Sequence, residues 1–342
     1  MEATEVRLAR RPEGEPGDDT YEFARTAVPS PADGQVLLRV VYLSLDPYMR
    51  GRMSAAKSYA GPVEVGDVLV GGTVCVVEAS RHPDFAEGDL VLSYSGWRTH
   101  ALSDGTGLRK LDPSVAPVST ALGVLGMPGF TAYAGLLELG RPAAGETVVV
   151  AAATGPVGSA VGQIARVKGA RAVGIAGGRE KCRALLDDFG FDAAVDHRSS
   201  SFADDLAAAV PDGVDVYFEN VGGRVTREVL RHVNLYARMP VCGLVADYNA
   251  TSAPEGPDRL PGFMRLVLSK SLTVRGFIQG EFAKSHGAAF RRDMTEWVAG
   301  GSVRYREDVV DGLENAPEAF RGLLAGRNFG KLLVRVSPDP TR

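Results

Sequence analysis

Cysteine is scarce in this sequence, histidine is unclustered, and both facts argue against a metal site. The 342 residues include three cysteines, Cys75, Cys182 and Cys242, which are odd in number and far apart. This pattern predicts neither a disulfide framework nor a Cys-x-x-Cys zinc site. We expect the three cysteines to be small, buried hydrophobic side chains. The five histidines show no ligand spacing of a helix or hairpin. We therefore expect no bound metal.

An excess of positive charge and a long apolar run are also missing. The formal net charge of −4 provides no general attraction for nucleic acid or for an anionic membrane. No apolar run is long enough to span a bilayer, and the first residues lack the basic and apolar regions of a signal peptide. We therefore expect a cytoplasmic protein and, at this length, two domains.

What the sequence does contain is a strand and a helix in direct succession, joined by a glycine loop. Residues 147–150 form a valine-rich run that is typical of a strand buried on both faces. Apolar residues at helical spacing then occupy one face of 157–164. Pro156 suits the first helical position, and Gly169 suits the left-handed residue beyond the last turn. The pattern predicts a helix bounded at both ends.

The loop has the spacing Ala-x-x-Gly-x-x-Gly, a variant of the dinucleotide fingerprint. Gly155 would let the chain turn sharply and approach a ligand, and Gly158 would let the helix lie close to the strand. The unpaired N–H groups of such a helix end predict a pyrophosphate site. By itself the spacing is equally consistent with a tight strand-to-helix turn. A second strand-like run at 170–176, at the distance expected of a βαβ unit, favours the nucleotide site.

The segment after this second run bears on the choice of cofactor. An NAD enzyme usually has an acid there for the ribose hydroxyls, whereas this chain reads Gly177, Gly178, Arg179, Glu180 and Lys181, with no acid at the critical place. Arg179 and Lys181 can form charge-assisted hydrogen bonds with a 2′-phosphate, so the segment favours NADPH. The alternative is that both cations are solvated residues in the first turn of the next helix.

Short strand-like runs separated by turn residues fill the first third of the chain, at 36–45, 67–77 and 88–93. They predict a small, mostly antiparallel β domain. Pro47 interrupts this pattern and favours a turn or a short helical piece, from which Tyr48, Met49 and Arg50 could face a cleft. Tyr48 is therefore a candidate for the substrate site, with ordinary packing as the alternative.

Beyond the fingerprint, strand-like and helical runs alternate, which predicts a doubly wound parallel sheet. The strand-like runs lie at 214–220, 239–244 and 272–278. Ligands bind such sheets at the carboxyl ends of the strands. The residues expected there are Asn220, Gly222, Gly223, Gly243, Phe277 and Ile278, although each glycine alone could simply end its strand. Near the end of the chain we expect a helix entered at Asn315 and a closing strand at 331–336.

Several motifs together resemble one family. They are Asp46-Pro47-Tyr48-Met49-Arg50, Gly126-Met127-Pro128-Gly129, the fingerprint at 152–158, Phe218-Glu219-Asn220-Val221-Gly222-Gly223, Cys242-Gly243 with Asp247-Tyr248-Asn249, and Gly330-Lys331. Over nearly its whole length the chain is similar to the zinc-independent medium-chain dehydrogenases/reductases, particularly the prostaglandin, alkenal double-bond and curcumin reductases. The resemblance implies a GroES-like antiparallel β domain at 1–125, completed by 303–342, and a Rossmann NADPH-binding domain at 126–302.

The resemblance also implies an activity and a set of site residues. The family uses NADPH to reduce the carbon–carbon double bond of α,β-unsaturated aldehydes and ketones, and most of its members are dimers. Tyr248 matches a tyrosine near the nicotinamide ribose and the substrate carbonyl, so Tyr248 and Tyr48 are the candidate catalytic residues. The implied cofactor-binding residues are Gly155, Val157, Gly158, Gly178, Arg179, Lys181, His197, Asn220, Cys242, Gly243, Tyr248, Phe277, Ile278 and Asn328.

One of these positions departs from the family pattern. Where many relatives have a tyrosine near the adenine phosphate, this chain has His197, so that contact is lost, altered or shared with Arg198. Two other functions stay open. One is an NADPH:quinone oxidoreductase of the same fold, and the other is a non-catalytic, crystallin-like or regulatory protein that binds NADPH. The presence of Tyr48, Tyr248 and the phosphate loop speaks against the second.

Overall fold

The structure is a computed structural model that describes residues 2–253 and 256–342. It divides into two compact units. The first consists of Met1–Gly123 together with Glu307–Arg342, and the central unit consists of Val124–Arg306. The first unit is therefore built from both ends of the chain.

The first segment of the chain is mainly β structure. Its strands are β1 (Glu2–Leu8), β2 (Tyr21–Ala27), β3 (Val36–Ser44), β4 (Thr73–Ser80), β5 (Leu90–Ser93), β6 (His100–Ser103) and β7 (Arg109–Lys110). A short helix, α1 (Tyr48–Arg52), follows β3 almost directly. Pro47 is its N-cap residue and has a φ of −57°, which already suits a helix. The predicted short helical piece after Pro47 is confirmed.

The central segment alternates strands and helices. In order they are α2 (Met127–Ala134) with a π-helical continuation (Gly135–Gly140), β8 (Thr147–Ala151), α3 (Pro156–Val167), β9 (Arg171–Ala176), α4 (Arg179–Asp187), β10 (Ala193–Asp196), α5 (Phe202–Ala209), β11 (Val214–Phe218), α6 (Gly223–Val229), β12 (Val233–Val241), α7 (Leu260–Lys270), β13 (Thr273–Gly276) and α8 (Ala283–Ala299). The last segment contains β14 (Glu307–Asp311), α9 (Ala316–Leu324) and β15 (Lys331–Arg335). Helix α9 is entered at Asn315, as predicted.

The first unit has one large sheet and a ribbon of β1 and β2. Among the described residues the large sheet has seven strands, in the order β14-β15-β3-β4-β5-β7, with β6 also paired to β3. Strand β3 is antiparallel to β4, β6 and β15, whereas β14 and β15 are parallel. The predicted antiparallel β domain is confirmed. Because Leu333 of β15 pairs with Ser44, the start of β15 lies beside the end of β3.

The strand predicted at 67–77 is too long, because β4 begins only at Thr73. The residues before it pair with β1 instead: Leu8 N–H donates to Asp67 O at 2.9 Å, and Leu69 N–H donates to Val6 O at 3.0 Å. Alternation of apolar residues does not show which neighbour a strand will pair with. The pattern at 67–77 therefore predicts one strand where the structure has two extended pieces with different partners.

The sheet of the central unit is parallel, with the order β10-β9-β8-β11-β12-β13 over the described residues. The chain runs outward from β8 to β10 and then returns to β11 on the other side of β8. The predicted doubly wound sheet is confirmed, and the order reverses beside β8, where ligands bind in such folds. Strand β12 begins at Val233, well before the predicted 239. The predicted strand is too short because Tyr236 and polar neighbours interrupt the apolar run in the first half of β12. Residues Val148 to Val150 are fully buried, as expected for a central strand.

Candidate active site

The loop between β8 and α3 reverses the chain at Ala152. This residue has a φ of 51°, in the left-handed region, and the N–H of Gly155 donates to its carbonyl at 3.0 Å. Gly155 itself has a φ of −73°, so the prediction that Gly155 makes the sharp turn is wrong. Glycine is the usual left-handed residue, but here the fold imposes that conformation on Ala152. Gly158 packs as predicted, since a β-carbon there would lie 2.5 Å from Ala152 O.

The N-terminal end of α3 is able to bind an anion. Its N-cap residue, Gly155, has no side-chain oxygen that could cap the helix, and Pro156 occupies the first helical position. The N–H groups of Val157 and Gly158 belong to the first turn, where an α-helix offers no intrahelical acceptor. Together with the positive end of the helix dipole, these N–H groups are suitable donors for a pyrophosphate.

Basic side chains gather at the end of β9. A β-carbon on Gly177 would lie 2.8 Å from Arg198 Nε and 2.9 Å from His197 Nε2, so these two side chains cover the backbone of Gly177. Lys181 of α4 and Arg224 of α6 are close enough to affect the pKa of His197 electrostatically. Burial and these neighbouring cations hold the pKa of His197 below its usual value.

An acid, Asp196, stands beside this cluster at the end of β10. Its Oδ1 accepts hydrogen bonds from the N–H of Gly178 at 2.8 Å and of Arg198 at 2.9 Å. Burial alone would raise the pKa of Asp196, but these two donors hold it below its usual range. The carboxylate thereby fixes the turn into α4. Gly178 has a φ of 97° in that turn, and Arg179 follows as an exposed residue of the first helical turn.

The loop after β11 is organised by Glu219, whose side chain is buried. Its Oε1 accepts from the N–H of Val221 at 2.5 Å and of Gly222 at 3.0 Å. Its Oε2 accepts from the Tyr217 hydroxyl at 2.9 Å and from Thr226 Oγ1. Both carboxylate oxygens are satisfied by groups from one short stretch of chain, so the backbone of the loop is fixed in place.

Asn220, Gly243 and Tyr248 lie together at the carboxyl edge of the sheet. The Asn220 amide donates to the carbonyl of Ala151, the last residue of β8, at 2.9 Å. A β-carbon on Gly243 would lie 3.1 Å from the Tyr248 hydroxyl oxygen and 3.6 Å from Asn220 O. The fold therefore brings a phenol, a carboxamide and a glycine to the end of the central strands.

Cys242 contributes to this edge through its backbone. The N–H groups of Cys242 and Gly243 donate to Glu219 O at 2.9 Å and 3.2 Å. Burial, with the charge of Glu219 as the second cause, raises the pKa of the Cys242 thiol to about 12. The thiol is therefore protonated at neutral pH and is not a nucleophile.

Phe277 and Ile278 follow β13 at the same edge. The N–H of Phe277 donates to Val241 O at 3.3 Å, and its ring lies edge-on to that of Phe218 at 6.1 Å between centroids. The N–H of Ile278 donates to Glu281 Oε1 at 2.8 Å. The carbonyl of Ile278 also accepts from the N–H of Glu281 at 3.0 Å, so the carbonyl of Phe277 is the backbone group best able to meet a ligand.

In the first unit, Tyr48 begins α1 two residues after the buried Asp46. Tyr48 is partly buried, and burial, followed by the charge of Asp46, raises the pKa of its phenol above the usual range. The phenol is therefore protonated at neutral pH and can donate a hydrogen bond. Met49 and Arg50 are buried, so the prediction that they face a cleft is wrong. Arg50 Nη2 instead donates to Gly14 O at 2.7 Å.

A buried ion pair holds the residues that precede Tyr48. Lys331 Nζ donates to Asp46 Oδ1 at 2.6 Å and to Leu45 O at 2.7 Å. Ser44 Oγ donates to the other carboxylate oxygen of Asp46. Burial lowers the pKa of the Lys331 ammonium, while Asp46 and then Glu307 oppose that change. The turn that carries Tyr48 is thus joined to the start of β15.

Asn328 lies in the loop just before β15, and its amide donates to Gly330 O at 2.9 Å. Since the start of β15 lies beside the end of β3, Asn328 and Tyr48 are at the same end of the first unit's sheet. The thirteen predicted site residues other than Tyr48 and Asn328 belong to the central unit.

Comparison with known proteins identifies the family. Two family descriptions match the chain, "N-terminal domain of oxidoreductase" over residues 4–111 and "zinc-binding dehydrogenase" over residues 156–299. The NADPH-dependent curcumin reductase of Escherichia coli (strain K12) is 54% identical over 332 residues, covering 97% of this chain and 96% of that relative. The chain belongs to the zinc-independent medium-chain dehydrogenase/reductase family, and it is an oxidoreductase.

Two further relatives of this medium-chain reductase support the assignment. Prostaglandin reductase 1 of Rattus norvegicus is 40% identical over 341 residues, which cover 98% of this chain and 100% of the relative. The crystal structure of CurA in complex with NADPH from Vibrio vulnificus has a TM-score of 0.95 at 52% identity, covering 98% of this chain and 100% of that one. The predicted resemblance is confirmed.

The sequence analysis includes Glu219 and Lys331 in the family motifs but predicts no supporting role for either residue. For Glu219 the signal was present, because a single acid that directly follows the buried run of β11 needs hydrogen-bond donors. For Lys331 there was none, because its partner Asp46 is 285 positions away along the chain.

Within residues 2–253 and 256–342, no group of three or more His, Cys, Asp or Glu side chains is arranged to hold a metal ion. In the same described ranges, none of the helices combines the length and the apolar character needed to cross a bilayer.

Proposed function

We propose that this chain uses NADPH to reduce the carbon–carbon double bond of α,β-unsaturated aldehydes and ketones. The observation that carries the proposal is the position of the Tyr248 hydroxyl, which lies over Gly243 and beside Asn220 at the carboxyl edge of the sheet. The likeness to curcumin and prostaglandin reductases supports the same chemistry.

The residues at this edge fit the parts of NADPH. Gly158 allows α3 to approach β8 so closely that any β-carbon would meet Ala152 O, and the helix end offers N–H donors for the pyrophosphate. Arg198 and Lys181 offer cationic donors for the 2′-phosphate, and the imidazole of His197 lies beside them. Asp196 stands nearby, and its Oδ1 is bonded to two backbone N–H groups of the turn into α4.

When bound, NADPH supplies the hydride. Reduction at the β-carbon builds negative charge on the carbonyl oxygen, so the protein must place a donor at that oxygen. We assign this role to the Tyr248 hydroxyl. Tyr48 is assigned to the substrate pocket as a second donor, since burial and Asp46 keep its phenol protonated.

Product analysis tests this function. Purified protein and NADPH are incubated in turn with an enone, the matching saturated ketone and a quinone, and the products are identified by mass spectrometry. The proposal expects the saturated ketone from the enone and no turnover of the saturated ketone. Faster turnover of the quinone would favour the quinone oxidoreductase alternative. Binding of NADPH without turnover of any compound would favour the non-catalytic alternative.

The cofactor preference has its own test at Lys181. If a hydrogen bond to a charged phosphate contributes about 1.5–3 kcal/mol, Lys181→Ala should weaken NADPH binding by about ten- to a hundredfold. NADH binding should hardly change. Lys168→Ala, at the end of α3, is the matched control. Equal losses for NADPH and NADH would show that Lys181 has a structural role instead.

We also propose that the protein is a homodimer formed through β13. This strand is at one end of the central sheet, and its four residues are exposed. Val274 on β13 and Leu268 on the preceding helix, α7, are both exposed apolar side chains. An exposed apolar edge strand favours pairing with a second chain. Sedimentation should show a dimer that Val274→Lys weakens, and a monomer at all concentrations would contradict the proposal.

The cytoplasmic location stays a prediction.

A further inference from the structure

His197 lies among other basic side chains at the end of β9. Its Nε2 and the Nε of Arg198 both lie over Gly177, 2.9 Å and 2.8 Å from where a β-carbon would be. The positive charges of Lys181 on α4 and of Arg224 in the first turn of α6 also act on the imidazole. Basic side chains from separate elements of the central unit thus surround the imidazole of His197.

These neighbours determine the charge of the imidazole. Burial is the largest cause that lowers the pKa of His197, and the positive charges of Arg198, Arg224 and Lys181 act in the same direction. Asp196 opposes them, but it is held in place by backbone N–H groups of the adjoining turn. In the free protein His197 is therefore neutral at neutral pH.

We propose that His197 takes up a proton when the 2′-phosphate of NADPH binds to this cluster, so that affinity for the 2′-phosphate rises as the pH falls toward neutrality. The inference rests on the proposed use of NADPH. A doubly negative phosphate beside the ring stabilises the imidazolium, because opposite charges in contact favour the charged form. NADH lacks this phosphate, so its binding should not share the pH dependence.

The direction of the effect follows from comparing the two states. The pKa of His197 is lowered in the free protein, and the bound phosphate raises it. Between the two pKa values the complex holds a proton that the free protein lacks, so a lower pH favours the complex. The phosphate gains its own proton at about pH 6, which weakens binding below that value. The informative range therefore lies above it.

The compound 2′,5′-ADP isolates this contact, because it has the 2′-phosphate but no nicotinamide. Its Kd should fall about five- to tenfold between about pH 8.5 and about pH 6.5, because the complex gains a proton in this range that the free protein lacks. The variant His197→Gln keeps a polar side chain but cannot gain a proton, so its Kd should change less than about twofold over that range. Calorimetry in two buffers of different ionisation enthalpy should show proton uptake that His197→Gln loses.

Two controls make the outcome decisive. His286→Gln, at a histidine of α8 that lies 3.3 Å from Glu138, should behave like the parent protein. Binding of 5′-AMP, which lacks the 2′-phosphate, should be unchanged in His197→Gln. Equal pH dependence of 2′,5′-ADP binding in the parent and in His197→Gln overturns the inference but leaves NADPH as the cofactor. If 2′,5′-ADP binds no better than 5′-AMP at any pH, the proposed use of NADPH fails together with the inference.

Discussion

Each unit has a buried carboxylate just before a candidate site residue, and the two carboxylates are satisfied in different ways. Glu219 precedes Asn220 and accepts hydrogen bonds from hydroxyl and backbone N–H groups of its own loop. Asp46 precedes Tyr48 and is paired with the ammonium group of Lys331, 285 positions away. One carboxylate is held by neutral donors nearby in sequence, and the other is held by a distant charge.

The difference predicts how each site should fail. Weakening one hydrogen bond among several costs about 0.5–1.5 kcal/mol, and the remaining donors keep the loop in place. Removing one partner of a buried ion pair costs about 3–5 kcal/mol, because a charge is left buried without its counter-ion. We therefore expect substitutions around Asp46 to lower mainly the stability of the protein. Substitutions around Glu219 should mainly affect how the ligand is positioned.

Breaking the ion pair should have the largest effect. Lys331→Met should lower the free energy of unfolding by about 3–5 kcal/mol, because Asp46 loses its cation inside the protein. Denaturation in urea, followed by circular dichroism, measures this change. Lys110→Met is the matched control, since Lys110 is exposed and its partner Asp89 is only partly buried, so this pair should contribute at most about 1 kcal/mol.

A double variant sharpens this test. Asp46→Asn with Lys331→Met removes both charges and should recover part of the stability that Lys331→Met alone loses. A loss for Lys331→Met no larger than that of the Lys110→Met control would show that the pair is not buried in solution.

The second-largest effect should be a loss of turnover when Tyr248, in the central unit with Glu219, is changed. Tyr248→Phe should lower kcat about a hundredfold and leave NADPH affinity nearly unchanged, because a positioned donor acts mainly in the transition state. Steady-state and single-turnover rates with one good enone measure it. Tyr236→Phe, at an exposed tyrosine of β12, should leave both rates unchanged. A chemical step within about threefold of the parent would remove Tyr248 from the mechanism.

A smaller effect is expected at Glu219 itself. In Glu219→Gln one carboxamide oxygen can still accept from Val221 and Gly222, and the hydroxyls of Tyr217 and Thr226 can reorient. We expect a loss of about 1–2 kcal/mol in the free energy of unfolding and a rise of several-fold in the Kd of NADPH. Fluorescence titration with NADPH measures the latter. A loss as large as that of Lys331→Met would show that the two carboxylates do not differ in the way described.

The smallest effect should come from Tyr48. If its phenol donates one neutral hydrogen bond to bound substrate, Tyr48→Phe should raise KM about two- to tenfold and change kcat less than about threefold. Initial rates over a range of enone concentrations separate the two constants. A loss of kcat as large as that of Tyr248→Phe would instead place Tyr48 in the chemical step.

The sequence predicted best what depends on neighbours along the chain. The strand, loop and helix around Gly158 and the alternation of strands and helices are local patterns, and the structure confirms them. Pairings across long separations were not predictable: periodicity assigned 67–77 to one strand although its first residues pair with β1. Local propensity also failed at Ala152, where the tertiary fold imposes a left-handed turn on a residue that rarely adopts one.

The return of the last segment to the first unit has a consequence for synthesis on the ribosome. Strand β15 lies between β14 and β3, so the first sheet is incomplete until residues 331–335 have left the exit tunnel. By then the whole central unit is already available to fold. We expect nascent chains halted with Arg306 outside the exit tunnel and β15 still inside it to protect the central unit from protease while the earlier β segment is still cleaved. Equal protection of both would show that the first unit closes without its final strand.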